Sequence, residues 1–321
     1  MISIVKQLKH DLKKFNIQKQ SIQTLFIGGG TPSCVDAFLY EEFFKNIKPF
    51  LDPSCEITTE ANPNSLSSNW IEIMKDFGVN RVSVGVQSFD DKKLKFLGRS
   101  HSKDIAIKSI KSLHDKKIKN ISLDLIYNTS LDTRELLEND LNIAFSLPIN
   151  HLSCYSLTIE KDTIFFNNQK AFNENEKLSF WLINEIQKRG FNQYEISNFG
   201  KYKCLHNLGY WRYNEYLGIG CSSVGRVKNK RYYPLHDIEQ YIKDPTYKRV
   251  ELLSENDIKT EKILLGLRSI VGINKNILNQ IEQKRANDLV SENRLIYKDS
   301  FFYNRDYFLS DEIALYLLRD N

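Results

Sequence analysis

TLFIGGGTPSCVDAFLYEEFFKNIKPF, residues 24–50, holds the unit from which the fold is read. A short run of β-branched and aromatic residues comes first, then three glycines and Thr31. Apolar side chains at helical spacing follow from 35 to 50. The same order recurs downstream. EITTEAN (56–62), RVSVGVQ (81–87), ISLDLIY (121–127) and HLSCYSLTI (151–159) read as strands, and 67–77, 102–117 and 134–146 read as helices between them. Strand, helix, strand with short connections predicts a parallel sheet with right-handed crossovers. Polar residues decide which one. The turn at 28–31, Glu60, Gln87 and Asp124 fall at or near the ends of successive strands. A barrel gathers those ends on one site, where polar groups among strand apolars make physical sense. The expected fold is α/β, a partial TIM-like barrel in preference to a Rossmann sheet.

Working outward, residues 2–15 read as a helix, so the barrel opens without its first strand and a strand edge is left uncovered. A fold with such an edge is expected to be marginally stable. Beyond about residue 165 the pattern changes. Residues 173–189 form a helix with Phe180, Trp181, Ile183 and Ile186 on its apolar side, FNQYEIS follows as a strand, and 198–233 is irregular, aromatic and glycine-rich. Residues 254–321 read as three helices (258–270, 274–283, 287–293), a hairpin in LIYKDSFFYNRDYFLS and a closing helix. That outline is a small winged-helix-like α+β domain, which alone does not mean nucleic-acid binding. The expected domains are 1–240, the barrel and its extension, and 254–321.

Composition narrows the function. Of 321 residues, 41% are hydrophobic and 26% charged, which excludes a disordered chain and a coiled coil. No apolar run approaches the roughly 18 residues of a membrane span, and the N-terminus lacks the apolar segment of a secretion signal. A cytoplasmic protein is expected. The 45 basic and 40 acidic residues leave a diffuse net charge of +5, which suits a solvated surface better than a nucleic-acid groove. The five cysteines (Cys34, Cys55, Cys154, Cys204, Cys221) include no CxxC pair, so free thiols are expected and no sequence-local metal site is visible.

Three features carry chemistry. GGGTPS (28–33) lets backbone N–H groups approach a ligand at the start of a helix, against the plainer reading of a tight βα turn. Glu60, Gln87 and Asp124 need partners if buried, which a ligand amine, ribose hydroxyls or Arg99 could supply; the plainer reading is structural ion pairing. His206, in CLHNLGYW, could ligate a metal or heme iron, or be packed and hydrogen-bonded as most such histidines are.

GGGTPS, TEANP, RVSVGVQSF, LGRSH, SLDLIY, HLSCYSLTIE, YEISNFG, HNLGYW and YLGIG occur in the order found in radical SAM proteins that resemble oxygen-independent coproporphyrinogen oxidase. CYSLTIE and HNLGYW resemble the heme chaperone branch, HemW, more than the decarboxylating branch, HemN. The resemblance runs from about Thr24 to the C-terminus. It implies a partial barrel binding S-adenosylmethionine, with Gly29, Gly30 and Thr31 at the methionine end, Glu60 beside it, and Gln87, Arg99 and Asp124 completing the pocket. It implies His206 as the heme ligand, a HemN-type C-terminal domain, and heme and a recipient hemoprotein as partners, with a homodimer open and no nucleic acid expected.

The resemblance also implies a [4Fe-4S] cluster held by CxxxCxxC after the first barrel strand, and that motif is absent from this sequence. None of the five cysteines is assigned to it. Cys221-Ser222 replaces the usual Pro-Gly after GIG, and Asn128-Thr129-Ser130 the usual Gly-Leu-Pro after DLIY. Either Met1 is an internal methionine of a longer gene, or the chain is a short form unable to cleave the cofactor reductively. Three functions stay open: heme chaperone, radical coproporphyrinogen oxidase, and, as the weakest, nucleic-acid binding by the C-terminal domain.

Overall fold

The computed structural model describes residues 1–159, 161, 165, 166 and 168–319; Glu160, which closes the CYSLTIE motif, lies outside them. Along the chain run α1 (Ile2–Lys14), β1 (Ile22–Ile27), α2 (Glu41–Ile47), β2 (Leu51–Ala61), α3 (Ser68–Asp76), β3 (Arg81–Gln87), α4 (Asp91–Phe96) and α5 (Lys103–Asp115). Then come β4 (Asn120–Tyr127), α6 (Arg134–Ser146), β5 (His151–Ser156), α7 (Glu176–Lys188), β6 (Asn192–Gln193) and β7 (Asn198–Gly200). The remainder comprises α8 (Leu205–Trp211), β8 (Gly225–Val227), β9 (Lys230–Pro234), α9 (Ile238–Lys243), β10 (Lys248–Leu252), α10 (Glu255–Leu267), β11 (Ile273–Asn274), α11 (Gln280–Ser291), β12 (Leu295–Lys298), β13 (Phe301–Asn304) and α12 (Ser310–Leu318). The chain forms two compact units, one of residues 23–41 and 54–203, the other of 1–22, 42–53 and 204–321.

The first unit is α/β, built on a seven-stranded sheet in the order β1-β2-β3-β4-β5-β7-β6. β2 to β5 pair in parallel, and β7 turns back antiparallel to β5. Period-two alternation sorts the side chains. Val82, Val84 and Val86 of β3 and Leu123 and Leu125 of β4 are almost fully buried, as are Ile71 and Met74 of α3 and Ile110 and Leu113 of α5. The alternate positions are polar and meet one another. Ser83 Oγ donates to Asp124 at 3.1 Å, and Ser122 Oγ lies 2.7 Å from His151 Nδ1. Arg81 Nη2 lies 3.4 Å from the same nitrogen, and because a guanidinium only donates, His151 Nδ1 accepts. His151 Nε2–H then donates to Tyr194 at 2.7 Å. The barrel interior is therefore a hydrogen-bonded polar lining with its apolar shell outside.

Local chemistry fixes the helix starts. Ser67, Asp90, Ser102, Thr133 and Asn175 each accept a backbone N–H in the first turn of the helix that follows. The expected helix over 35–50 is broken: 3₁₀ turns at Pro32–Cys34, Ala37–Tyr40 and Lys48–Phe50 flank the seven residues of α2. Asp36 caps the second turn through the Phe38 N–H, and Pro49 cannot continue a helix. The expected FNQYEIS strand shrinks to β6, because Ser197 N–H turns back onto the Glu195 carboxylate at 3.2 Å.

The second unit holds two three-stranded antiparallel sheets, β10-β9-β8 and β11-β13-β12. Around the latter, Ile263, Leu267, Ala286, Leu289, Phe302, Ile313 and Leu317 form one core. The two helices expected at 274–283 and 287–293 are one, α11. It starts late because Asn279 and Glu282 form a reciprocal capping box, and Ile273–Asn274 is drawn into the sheet as β11. In the same unit α1 buries Val5, Leu8 and Leu12. Gln7 donates to Gly218 O at 2.9 Å and accepts from Gly220 N at 2.8 Å and Tyr241 Oη at 2.7 Å. Buried Asp11 pairs with Lys248. No helix among the described residues is long and apolar enough to cross a membrane.

Candidate functional site

At the C-terminal ends of β1 to β4, the positions singled out by polarity come together. Gly29 and Gly30 both have left-handed backbones (φ +79° and +63°), so the turn after β1 doubles back on itself. The Gly29 N–H donates to the Glu60 carboxylate at the end of β2. A Cβ on Gly28 would stand 2.8 Å from Phe26 Cε1 and 3.1 Å from the Glu60 carboxylate, so this glycine is required by close approach. Thr31 leads directly into the 3₁₀ turn at Pro32–Cys34.

Asp124, in β4, is half-buried, with Ser83 Oγ donating to it at 3.1 Å. Burial raises its carboxyl above the ordinary range, while hydrogen bonds from Ser153 and Ser83 and the charges of Arg81 and Arg99 oppose that rise. Burial, then the charge of Asp124, raises Glu60 in the same direction, and the Gly29 N–H works against them. Arg99 is drawn down by burial and held up by Asp124. Two carboxylates, Glu60 and Asp124, and two guanidiniums, Arg81 and Arg99, thus act on one another here, a set that offers both acidic and basic partners to a zwitterionic ligand.

Gln87 ends β3 in the left-handed region at φ +70°, where the β3–β4 register shifts. Its side chain folds back over Gly85, whose added Cβ would lie 2.9 Å from Gln87 Nε2. A non-glycine residue there is strained, and such strain persists only where surrounding contacts hold it. Those contacts follow at once: Ser88 Oγ and Phe89 N–H both donate to buried Asp140, at 2.8 and 2.6 Å.

Several cleft residues escape a reading by strand ends. Tyr155 and Ser153 of β5 lie beside Asp124, and both the burial of the Tyr155 hydroxyl and the charge of Asp124 raise it. Their signal was the alternation Ser153-Cys154-Tyr155, which turns the polar pair to one face. His101 is buried, with Nε2 2.9 Å from Val86 O. Burial lowers its pKa, the Val86 carbonyl opposes, and Arg99 lowers it further.

The cysteines do not gather. Cys55, Cys154 and Cys204 are buried, Cys34 is exposed and Cys221 partly so. Among the described residues no three His, Cys, Asp or Glu side chains are placed to hold a metal ion. The residues present therefore fit a sulfonium amino-acid cofactor at the strand ends and do not fit a three-thiolate iron–sulfur cluster.

His206 lies in the other unit, on α8. Its Nε2 shares a 2.9 Å hydrogen bond with Tyr210 Oη one helical turn on, and the two rings meet edge to face at 4.8 Å. Tyr210 meets Tyr216 in the same way at 4.7 Å. Tyr210 and Tyr216 also line a cavity of about 560 Å³, with Tyr213, Val224, Arg226, Arg231, Glu261, Leu264, Leu265 and Arg268.

Comparison with known proteins agrees with this geometry. Residues 3–141 match the Radical SAM superfamily. The heme chaperone HemW of Lactococcus lactis subsp. lactis (strain IL1403) is 35% identical over 283 residues, covering 84% of this chain and 74% of that protein. The heme chaperone HemW of Bacillus subtilis (strain 168) is 33% identical over 271 residues, covering 79% and 72%. Among solved structures, the radical SAM enzyme coproporphyrinogen III oxidase (HemN) from Escherichia coli superposes with a TM-score of 0.80 at 15% identity, covering 98% of this chain and 81% of that one. That likeness is one of fold. A mostly parallel α/β barrel, a polar cleft at its strand ends and an identity of 35% across most of both sequences place this chain in the HemW family of radical SAM proteins.

Proposed function

We propose that this chain binds heme through His206 and passes it to a recipient hemoprotein, with S-adenosylmethionine held at the barrel's strand ends. The observation that carries the reading is the 35% identity, over 84% of this chain, to a protein named as a heme chaperone. His206 supports it, an imidazole on a helix whose Nε2 is already engaged by Tyr210, the kind of outer partner that orients a metal-ligating ring.

At the strand ends, Gly29, Gly30 and Thr31 bring backbone groups against the methionine end of the cofactor. Glu60 takes its amine, Arg99 offers a counter-charge to its carboxylate, and Gln87 and Asp124 close the pocket. When bound, S-adenosylmethionine supplies a sulfonium that a one-electron donor can cleave. Glu60 offers a carboxylate to the positive end of the ligand, while Asp124 is already balanced by Arg81 and Arg99.

The test is a heme titration followed by transfer. The wild-type chain should take up heme stoichiometrically with a sharp Soret band and restore a heme-free recipient hemoprotein, and His206→Ala should lose both. Decarboxylation of coproporphyrinogen that depends on reductant and S-adenosylmethionine would instead establish the oxidase reading.

A further inference from the structure

The cavity beside α8 has a composition that the heme reading leaves unexplained. Three arginines line it against one glutamate. Glu261 is fully occupied: it accepts from Tyr213 Oη at 2.5 Å and pairs with Arg231, which also reaches Glu251 at 3.4 Å. Arg226 is almost completely buried, stacks 3.8 Å over the Tyr213 ring and donates to the carbonyls of Lys228 and Tyr213. No carboxylate among the described residues pairs with it, so a buried positive charge without an acidic partner borders the cavity. At the mouth Arg268 pairs with Asp311, whose side chain is 71% exposed. Tyr210, Tyr216, Val224, Leu264 and Leu265 supply largely apolar walls, the two tyrosine rings set edge to face. The volume of about 560 Å³ falls within the roughly 300–1,000 Å³ of small-molecule sites.

We infer that this cavity receives the porphyrin itself, a flat apolar ring carrying carboxylates. The ring packs among Tyr210, Tyr216, Leu264 and Leu265, one carboxylate displaces Asp311 from Arg268, and the buried charge of Arg226 draws ring carboxylates inward. The inference rests on the heme reading and adds to it a seat independent of the iron. His206 stands outside the lining and touches it only through its bond to Tyr210, so carboxylate capture in the seat is separable from iron ligation. Exposed ion pairs such as Arg268–Asp311 are weak and exchange readily, which lets an incoming carboxylate compete.

The experiment uses the full chain with two probes, heme and iron-free protoporphyrin IX, read by Soret absorption and fluorescence. Protoporphyrin IX should bind the wild type and His206→Ala alike, because it has no iron to ligate. Arg268→Gln should weaken it about tenfold, the scale of one lost charged hydrogen bond. Asp311→Asn should tighten it several-fold by removing the competing carboxylate, a gain that misfolding cannot produce. The dimethyl ester of protoporphyrin IX should bind weakly and ignore both changes. Heme binding that depends on His206 with no response to Arg268→Gln or Asp311→Asn would overturn the seat and leave the chaperone reading standing. Arg268-dependent protoporphyrin binding without heme uptake would keep the seat and sink the chaperone reading. Failure of both probes to bind the wild type would end both.

Discussion

Lys93 Nζ lies 2.6 Å from Asp132 Oδ1, and neither side chain reaches solvent. The same ammonium donates to Ile126 O at 2.7 Å and stands 3.9 Å from Asp140, which in turn holds Ser88 and Phe89. One buried cation therefore ties the ends of β3 and β4, the strands that carry Gln87 and Asp124. Lys93→Met leaves two buried carboxylates without their counter-charge and is expected to cost about 3–5 kcal/mol in denaturant unfolding. A loss below about 1 kcal/mol would mean the network is not what holds these strand ends.

Gly28→Ala and Gly30→Ala separate crowding from backbone strain. At Gly28 the new methyl meets Phe26 and the Glu60 carboxylate, so stability should fall by about 1–3 kcal/mol and cofactor binding should be lost. At Gly30 the methyl meets open space and only the left-handed backbone objects, at about 1–2 kcal/mol. Calorimetric titration with S-adenosylmethionine on both variants would show the contrast; equal affinities would remove Glu60 from the pocket.

Gln87→Gly should uncouple stability from binding. Relief of the positive φ is worth about 1 kcal/mol and offsets the lost side-chain packing, leaving the unfolding midpoint near wild type. Affinity for S-adenosylmethionine should drop about tenfold through the missing amide. Unchanged affinity would assign Gln87 to packing alone.

Glu195 sets a pH dependence. Burial raises its carboxyl from an ordinary 4.5 to about 7, against hydrogen bonds from Ser197 and Asn198. The folded protein thus holds this proton more tightly than the unfolded chain. The stability it lends is complete below the ordinary range and is lost as pH climbs through about 7. Relative to Glu195→Gln, the wild type should lose about 3 kcal/mol between pH 4 and 8. Parallel stability curves for the two proteins over that interval would contradict it.

How much of this was legible varies by residue for physical reasons. Strand β3 and helix α6 have the expected bounds because unbroken alternation and a Thr133 cap leave no competing register. Glu60 and Asp124 stood out as carboxylates in apolar runs, and the fold does bring them within electrostatic reach. Helix α4 escaped notice, since DKKLKF is six residues with four charges and shows no apolar period. Lys93 was hidden by the same run: one lysine of three is buried there, and its partners Asp132 and Asp140 are set by tertiary placement. The arginines around Tyr213 were equally opaque, scattered along a stretch whose only sequence signal was an excess of aromatic and glycine residues.

Helix α1 is sealed by residues far along the chain, Gln7 against Tyr241 and Asp11 against Lys248, separations of 234 and 237 positions. During synthesis, at roughly 5–20 residues per second, its partners emerge some 10–50 s after it does. A lone helix of 13 residues is barely stable in water, and for that interval Gln7 and Asp11 lack the Tyr241 and Lys248 partners that hold them in the folded chain. Helix α1 is thus made well before it can settle, and a nascent-chain chaperone that grips short apolar stretches has a timed window in which to hold it.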